Sequence, residues 1–160
     1  MMNLTVLCVG KLKERFWRDA CDEYIKRLSA FCRAEVVEVE EERAPSDPSP
    51  AQLSQVVAAE GKRLLSKIPT DAAVIALCIE GKELSSPQLA DALEVLAVGG
   101  VNRAVLVIGG SWGLSDEVKQ RARLRLSMSP MTFPHQLARV MVLEQLYRAA
   151  QIQSGGRYHK

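Results

Sequence analysis

Three stretches of the chain carry residue types that could do chemistry. The first is Val105-Leu106-Val107-Ile108-Gly109-Gly110-Ser111-Trp112-Gly113-Leu114-Ser115, an apolar strand, a glycine turn and a helix start. Missing side chains let a ligand approach the backbone closely. The spacing is not G-x-G-x-x-G, and no G-x-x-x-x-G-K-[ST] occurs, so dinucleotide and P-loop readings are poor. Taken alone, the turn is explained equally well as a tight strand-to-helix connection.

The second stretch is Ser127-Met128-Ser129-Pro130-Met131-Thr132-Phe133-Pro134-His135-Gln136. Its methionines and phenylalanine offer soft apolar walls. The Ser129 and Thr132 hydroxyls, with the first free N–H groups of the following helix, offer polar handles. That mixture suits an adenine ring and a sulfonium with its carboxylate better than a triphosphate. The plainer reading is a core loop that uses Met as filler.

The third is the ending Arg157-Tyr158-His159-Lys160. A base can stack on Tyr158, and Arg157 and Lys160 can hold phosphates. His159 can assist a proton transfer near neutral pH. A four-residue tail after a helix would otherwise simply fray.

The charge pattern sharpens this picture. The 160 residues carry a net charge of only +2. From Lys119 onward, however, eight basic residues face one acidic residue, Glu144, for +7, and the first 118 residues hold −5. One-sided positive charge is the footprint of a polyanion-binding surface, or else a solvated face balanced in space by the acidic half. Cys8, Cys21, Cys32 and Cys78 form no C-x-x-C pair and lie near neither histidine, so no metal is expected and the thiols read as reduced. No apolar run reaches the ~18 residues of a membrane span, and no leader pattern opens the chain, which points to a cytoplasmic protein.

The elements that must position these residues follow from periodicity. Apolar runs at 4–9, 72–79 and 104–108 read as buried strands, 35–40 as a less buried one and 124–128 as a short fifth. Helical spacing covers 13–31, 51–68, 86–98 and 134–153, and Ser115 caps a short helix. The three prolines between Arg43 and Pro50 mark a loop. The chain therefore reads as one domain over 1–160, an α/β fold with a mostly parallel sheet and helices on both faces. Ligands of such sheets bind beyond the carboxyl ends of the strands. That rule selects the positions after Leu77–Ile79, at Gly109-Gly110 and after Met128.

Several motifs recur together: Val9-Gly10-Lys11-Leu12-Lys13, Ile108-Gly109-Gly110-Ser111-x-Gly113-Leu114 and Met131-Thr132-Phe133-Pro134-His135-Gln136. Arg139-Val140, Glu144-Gln145-Leu146-Tyr147-Arg148-Ala149 and the final Tyr158-His159-Lys160 complete the set. In order and at matching length they resemble the RlmH (YbeA-like) family of SPOUT-class ribosomal RNA large-subunit methyltransferases. The resemblance implies a SPOUT α/β fold with a C-terminal trefoil knot, a homodimer and S-adenosylmethionine as methyl donor. It implies methylation at N3 of a pseudouridine in 23S rRNA of the assembled ribosome. The cofactor positions carry over to Leu77, Gly109, Met128, Ser129, Pro130, Met131, Thr132 and Phe133. Tyr158 and His159 fall at the catalytic tail, which is thought to reach the target base from the partner subunit. Arg157, Lys160 and Arg139 are the expected RNA contacts. Trp112 departs from the family, which more often has a polar residue there.

Methyl transfer from a sulfonium is an in-line displacement and requires no metal. The N3 proton needs an acceptor; His159 is the expected base and His135 its rival. Leu137, Val140, Met141 and Tyr147 are the expected dimer face. Two other readings stay open: a non-catalytic ribosome- or RNA-binding factor, and a small-molecule nucleotide-binding α/β protein.

Overall fold

A computed structural model describes residues 2–160. Five strands and five helices alternate along the chain. The strands are β1 (Asn3–Val9), β2 (Ala34–Val39), β3 (Ala73–Glu83), β4 (Arg103–Ile108) and β5 (Leu124–Ser127). The helices are α1 (Arg15–Leu28), α2 (Pro50–Ser66), α3 (Ser86–Val98), α4 (Asp116–Arg121) and α5 (His135–Gln153). The sheet order is β2-β1-β4-β3-β5, and every pairing is parallel. Parallel neighbours need crossover connections, which the helices supply.

Alternation along the strands feeds two cores. Leu4, Val6 and Cys8 of β1 point to one face, where they meet Leu28, Leu93, Leu143 and Leu146 of α1, α3 and α5. Leu7 and Val9 point to the other, with Leu64 of α2 and Val118 of α4. Helices thus cover both faces, as near-continuous apolar strands require.

The helix starts follow capping chemistry. Ser49 and Ser85 each accept from the backbone N–H three residues on, while Gln52 and Gln88 return the bond to the cap N–H. The cap of α3 is therefore Ser85 and not Ser86, because only Ser85 has Gln at the third position to close the box. Ser115 caps α4 by accepting from Val118 N at 3.3 Å.

β3 differs from expectation more deeply. Leu77 and Lys82 both stand opposite Leu126 of β5, so the residues between them bow out before the strand resumes. Gly81 makes this possible: a Cβ there would lie 2.8 Å from the Arg125 and Leu126 backbone. Side-chain periodicity could not reveal it, since the expected strand stopped at Ile79, inside the bulge.

Candidate functional site

The carboxyl ends of β3, β4 and β5 enclose a cavity of about 760 Å³. Three segments wall it: the β3 bulge, the glycine turn after β4, and the loop from β5 into α5. The strand-end rule named these same three places.

Each segment is held by its own local bonds. In the turn, Gly113 sits at φ +84° and donates its N–H to Gly110 O at 3.2 Å. Gly109 packs so closely on Gly113 that a Cβ would lie 2.7 Å from its carbonyl. In the loop, Ser127 Oγ donates to Ser129 O at 3.2 Å, and Ser129 Oγ accepts from Met131 N at 3.0 Å. Pro134 precedes α5 without a side-chain cap, so the first α5 N–H groups lack a capping partner at the cavity's edge.

Seven of the eight expected cofactor positions line the cavity: Leu77, Gly109, Met128, Ser129, Met131, Thr132 and Phe133. Pro130 does not, and is exposed. Ile79, Trp112 and Met131 form an exposed apolar rim. Lys119 and Glu80 also line the cavity and pair with each other at 2.5 Å. That bond holds the Glu80 carboxyl below its usual range. Sequence reasoning missed both residues; Lys119 on α4 and Glu80 in the β3 bulge meet only in the fold.

His135 lines the same cavity. Burial, and then the positive charge of Arg139, lower its pKa below the usual value, which favours the neutral ring.

The tail lies elsewhere on its own chain. Gly155 at φ +74° ends α5, and Gly156 N returns to Gln151 O at 2.8 Å, turning the chain back. Tyr158 then packs edge-on against Tyr147, with ring centroids 4.8 Å apart, and donates its hydroxyl to Glu144 Oε1 at 3.1 Å. Arg148 grips the same Glu144 oxygen, lies 4.7 Å above the Tyr158 ring, and approaches His159 Nδ1 at 3.3 Å. Burial and the Glu144 carboxylate push the Tyr158 hydroxyl up to about 12. The tail is thus docked, not frayed.

No tail residue lines the main cavity. Glu144 lies nine residues beyond His135, roughly 13 Å up the helix at ~1.5 Å per residue. It lines a second cavity of about 550 Å³, together with Val140 and Met141, and this cavity shares Leu126, Ser127 and Met128 with the first.

One expected RNA contact is corrected. Arg139 is only 2% exposed; its guanidinium binds Glu38 at 2.5 Å and Gly10 O at 3.2 Å. It pins the start of α5 to the ends of β1 and β2 and cannot reach a phosphate. Lys119 and Arg148 are likewise ion-paired, and Arg121 donates to the carbonyls of Pro69 and Ala72. The exposed cations of the basic segment are Arg123, Arg125, Arg157 and Lys160. Of the expected dimer face, Val140 and Tyr147 are half-buried against the chain's own core, and Leu137 and Met141 are half-exposed.

A family model described as "Predicted SPOUT methyltransferase" matches residues 2–159. The chain belongs to the SPOUT methyltransferase family. It is 46% identical over 160 residues, all of both chains, to "Ribosomal RNA large subunit methyltransferase H" of Oenococcus oeni. It is 48% identical over 159 residues to the proteins of that name from Bacillus cytotoxicus and Clostridioides difficile, covering 99% of this chain and 100% of theirs.

SPOUT methyltransferases use S-adenosylmethionine as methyl donor. The residues present fit it. The cavity lies within the ~300–1,000 Å³ common for small-molecule sites. Its walls are mainly apolar, hydroxyls and backbone N–H groups supply polar contacts, and its one lysine is already paired with Glu80.

Proposed function

We propose that this SPOUT methyltransferase methylates large-subunit ribosomal RNA, at N3 of a pseudouridine in the 23S rRNA of the assembled ribosome, and acts as a homodimer. The observation that carries this reading is the convergence of seven expected cofactor positions on one cavity while the expected catalytic tail docks elsewhere on the same chain. Two-fold pairing lets the tail of one protomer complete the cavity of its partner.

Bound in the cavity, S-adenosylmethionine would supply an electrophilic methyl group. Leu77, Met128, Met131 and Phe133 provide apolar walls that exclude water, and Ser129, Thr132 and the turn backbone provide polar contacts. Gly109 keeps the turn tight beneath them. Pro130, outside the lining, stiffens the loop that carries Ser129 and Met131.

The tail handles the other substrate. Glu144 and Arg148 orient Tyr158 and His159. His159 accepts or relays the N3 proton, and Tyr158 packs beside the base. Arg157 and Lys160, both exposed, hold RNA phosphates. His135 lies on the cofactor side and keeps a neutral ring there.

The deciding experiment is methyl transfer from labelled cofactor to intact ribosomes, to free rRNA and to ribosomes lacking the pseudouridine. Transfer to intact ribosomes alone is the expected result. Equal transfer to ribosomes lacking the pseudouridine overturns the assigned base. A protein that binds ribosomes but no cofactor is a binding factor, and one with weak, salt-insensitive RNA affinity is a small-molecule protein.

A further inference from the structure

Behind the glycine turn, on α2, lies a buried carboxyl that the methyl-transfer reading does not use. Glu60 is 2% exposed. One of its oxygens, Oε2, accepts from Glu42 N at 3.1 Å. The other, Oε1, is buried and has no hydrogen-bond partner among the described residues. An orphaned buried carboxyl oxygen is costly and needs a reason.

The neighbours of Glu60 supply one. A Cβ built on Gly110 would lie 3.4 Å from Oε1, 3.5 Å from Oε2 and 3.2 Å from Val9 Cγ1. Both carboxyl oxygens therefore face the Gly110 α-carbon. The next residue, Gly61, lies so close to Ser115 that any Cβ there would overlap its hydroxyl. The pair Glu60-Gly61 thus braces both ends of the turn, Gly110 where it leaves β4 and Ser115 where it enters α4. Gly110 in turn lines the main cavity, whereas Glu60 does not.

The geometry points to Glu60 as a positioning residue for methyl-donor binding: its carboxyl holds Gly110, and with it the glycine wall of the cavity, in the shape that receives the cofactor. This rests on the reading of the cavity as the cofactor site. Glu60 touches the wall from behind and touches no substrate.

A consequence concerns pH. Burial raises the Glu60 pKa, and the Glu42 N–H partly offsets this. The charged groups facing it are Glu41 and Glu42 of the β2–α2 loop and Arg63 of α2 itself; β1 presents Val9, and the turn presents Gly110, neither of which titrates. A folded-state pKa above the unfolded one favours the protonated acid, so the bracing is complete at low pH and weakens as pH rises through the folded value. Protonation neutralises the buried carboxyl and so removes the desolvation cost that the orphaned Oε1 carries.

The test is calorimetric titration of the full-length protein with S-adenosylmethionine from about pH 4, below the ordinary carboxyl value, to about pH 8, beside Glu60→Gln and Glu60→Ala. Wild-type affinity should weaken as pH rises. Glu60→Gln, neutral throughout, should match the wild type at low pH and show a flatter profile. Glu60→Ala should bind about tenfold more weakly than wild type at low pH, with the gap narrowing as pH rises, while keeping its circular dichroism. Parallel wild-type and Glu60→Gln profiles overturn the proposal, as does unchanged affinity in Glu60→Ala. If Glu60→Ala does not fold, the Gln comparison decides. Absence of cofactor binding by the wild type overturns the cavity reading itself, and binding that ignores Glu60 overturns only this inference.

Discussion

Tyr158 donates its hydroxyl to Glu144 at 3.1 Å, and this bond ties the end of the chain to the middle of its last helix. Glu144 is the only acidic residue after Lys119. It is shared by Tyr158 and Arg148, so one carboxylate organises an aromatic ring, a guanidinium and, through Arg148, the His159 ring. Glu144→Ala should release the tail. Misplacing a reacting group by about 1 Å can cost ~10²-fold, so single-turnover methyl transfer should fall by about that factor. Cofactor affinity should stay within about twofold, because Glu144 does not line the cofactor cavity. The Tyr158 hydroxyl, raised to about 12, should return toward its ordinary value near 10, which tyrosinate absorbance would read.

His159→Ala isolates the proton transfer. General-base removal typically costs ~10²–10⁴-fold. Transfer should drop within that range at unchanged cofactor affinity. An unchanged single-turnover rate would remove His159 from the reaction and leave His135 as the base.

Arg139 and the tail cations should separate cleanly by salt dependence. Arg139→Met should lower stability by about 3 kcal/mol, the low end for breaking a buried pair because Glu38 is partly exposed. It should leave the salt slope of ribosome binding unchanged. Arg157→Ala and Lys160→Ala should each reduce that slope by about 1 and leave stability nearly unaltered. Denaturant unfolding and binding titrations over a salt series read the two effects.

These cases show where the amino-acid sequence is informative. Local chemistry was legible: the element order, the Ser115 cap and the three cavity segments all follow from spacing within short windows. Long-range pairing was not. Nothing in the run from Ala72 to Ile79 foretells that Leu77 and Lys82 share Leu126, because that depends on a strand 45 residues later. Arg139 looked like a surface cation because its partner, Glu38, lies 101 residues away. Nothing in the sequence singles out Glu60, because Gly110 and Glu42 close over it only in the fold. The tail's clamp on Glu144 was hidden by the turn at Gly155 and Gly156, which reverses the chain.

His135 should leave a mark on acid stability. Its folded-state pKa is depressed, first by burial and then by Arg139. A depressed value favours the neutral ring, so its contribution is present above the unfolded value near 6.5 and is lost as pH falls through the folded one. His135→Gln removes the titration. Wild type should therefore lose stability relative to His135→Gln as pH falls below about 6.5, read as the gap between their urea midpoints. A constant gap across that range excludes the effect.

Gly81→Ala tests the bulge that shapes the cavity. The new methyl would sit 2.8 Å from the carbonyl carbons of Arg125 and Leu126 and from the Arg125 oxygen. These are backbone atoms of a paired strand, so no side chain can swing aside. Either β5 moves away from β3 or the bulge changes shape. Overpacking of this kind costs ~1–3 kcal/mol. Ile79 and Glu80 of the bulge and Met128 just beyond β5 all line the cavity, so either response alters its wall. Cofactor affinity should therefore fall along with stability. Gly100→Ala is the control: its positive φ makes it costly too, but it lies after α3, outside the cavity lining. If both variants lose comparable stability and only Gly81→Ala loses cofactor binding, the bulge acts on the site directly. Equal losses of binding would mean that affinity merely follows global stability.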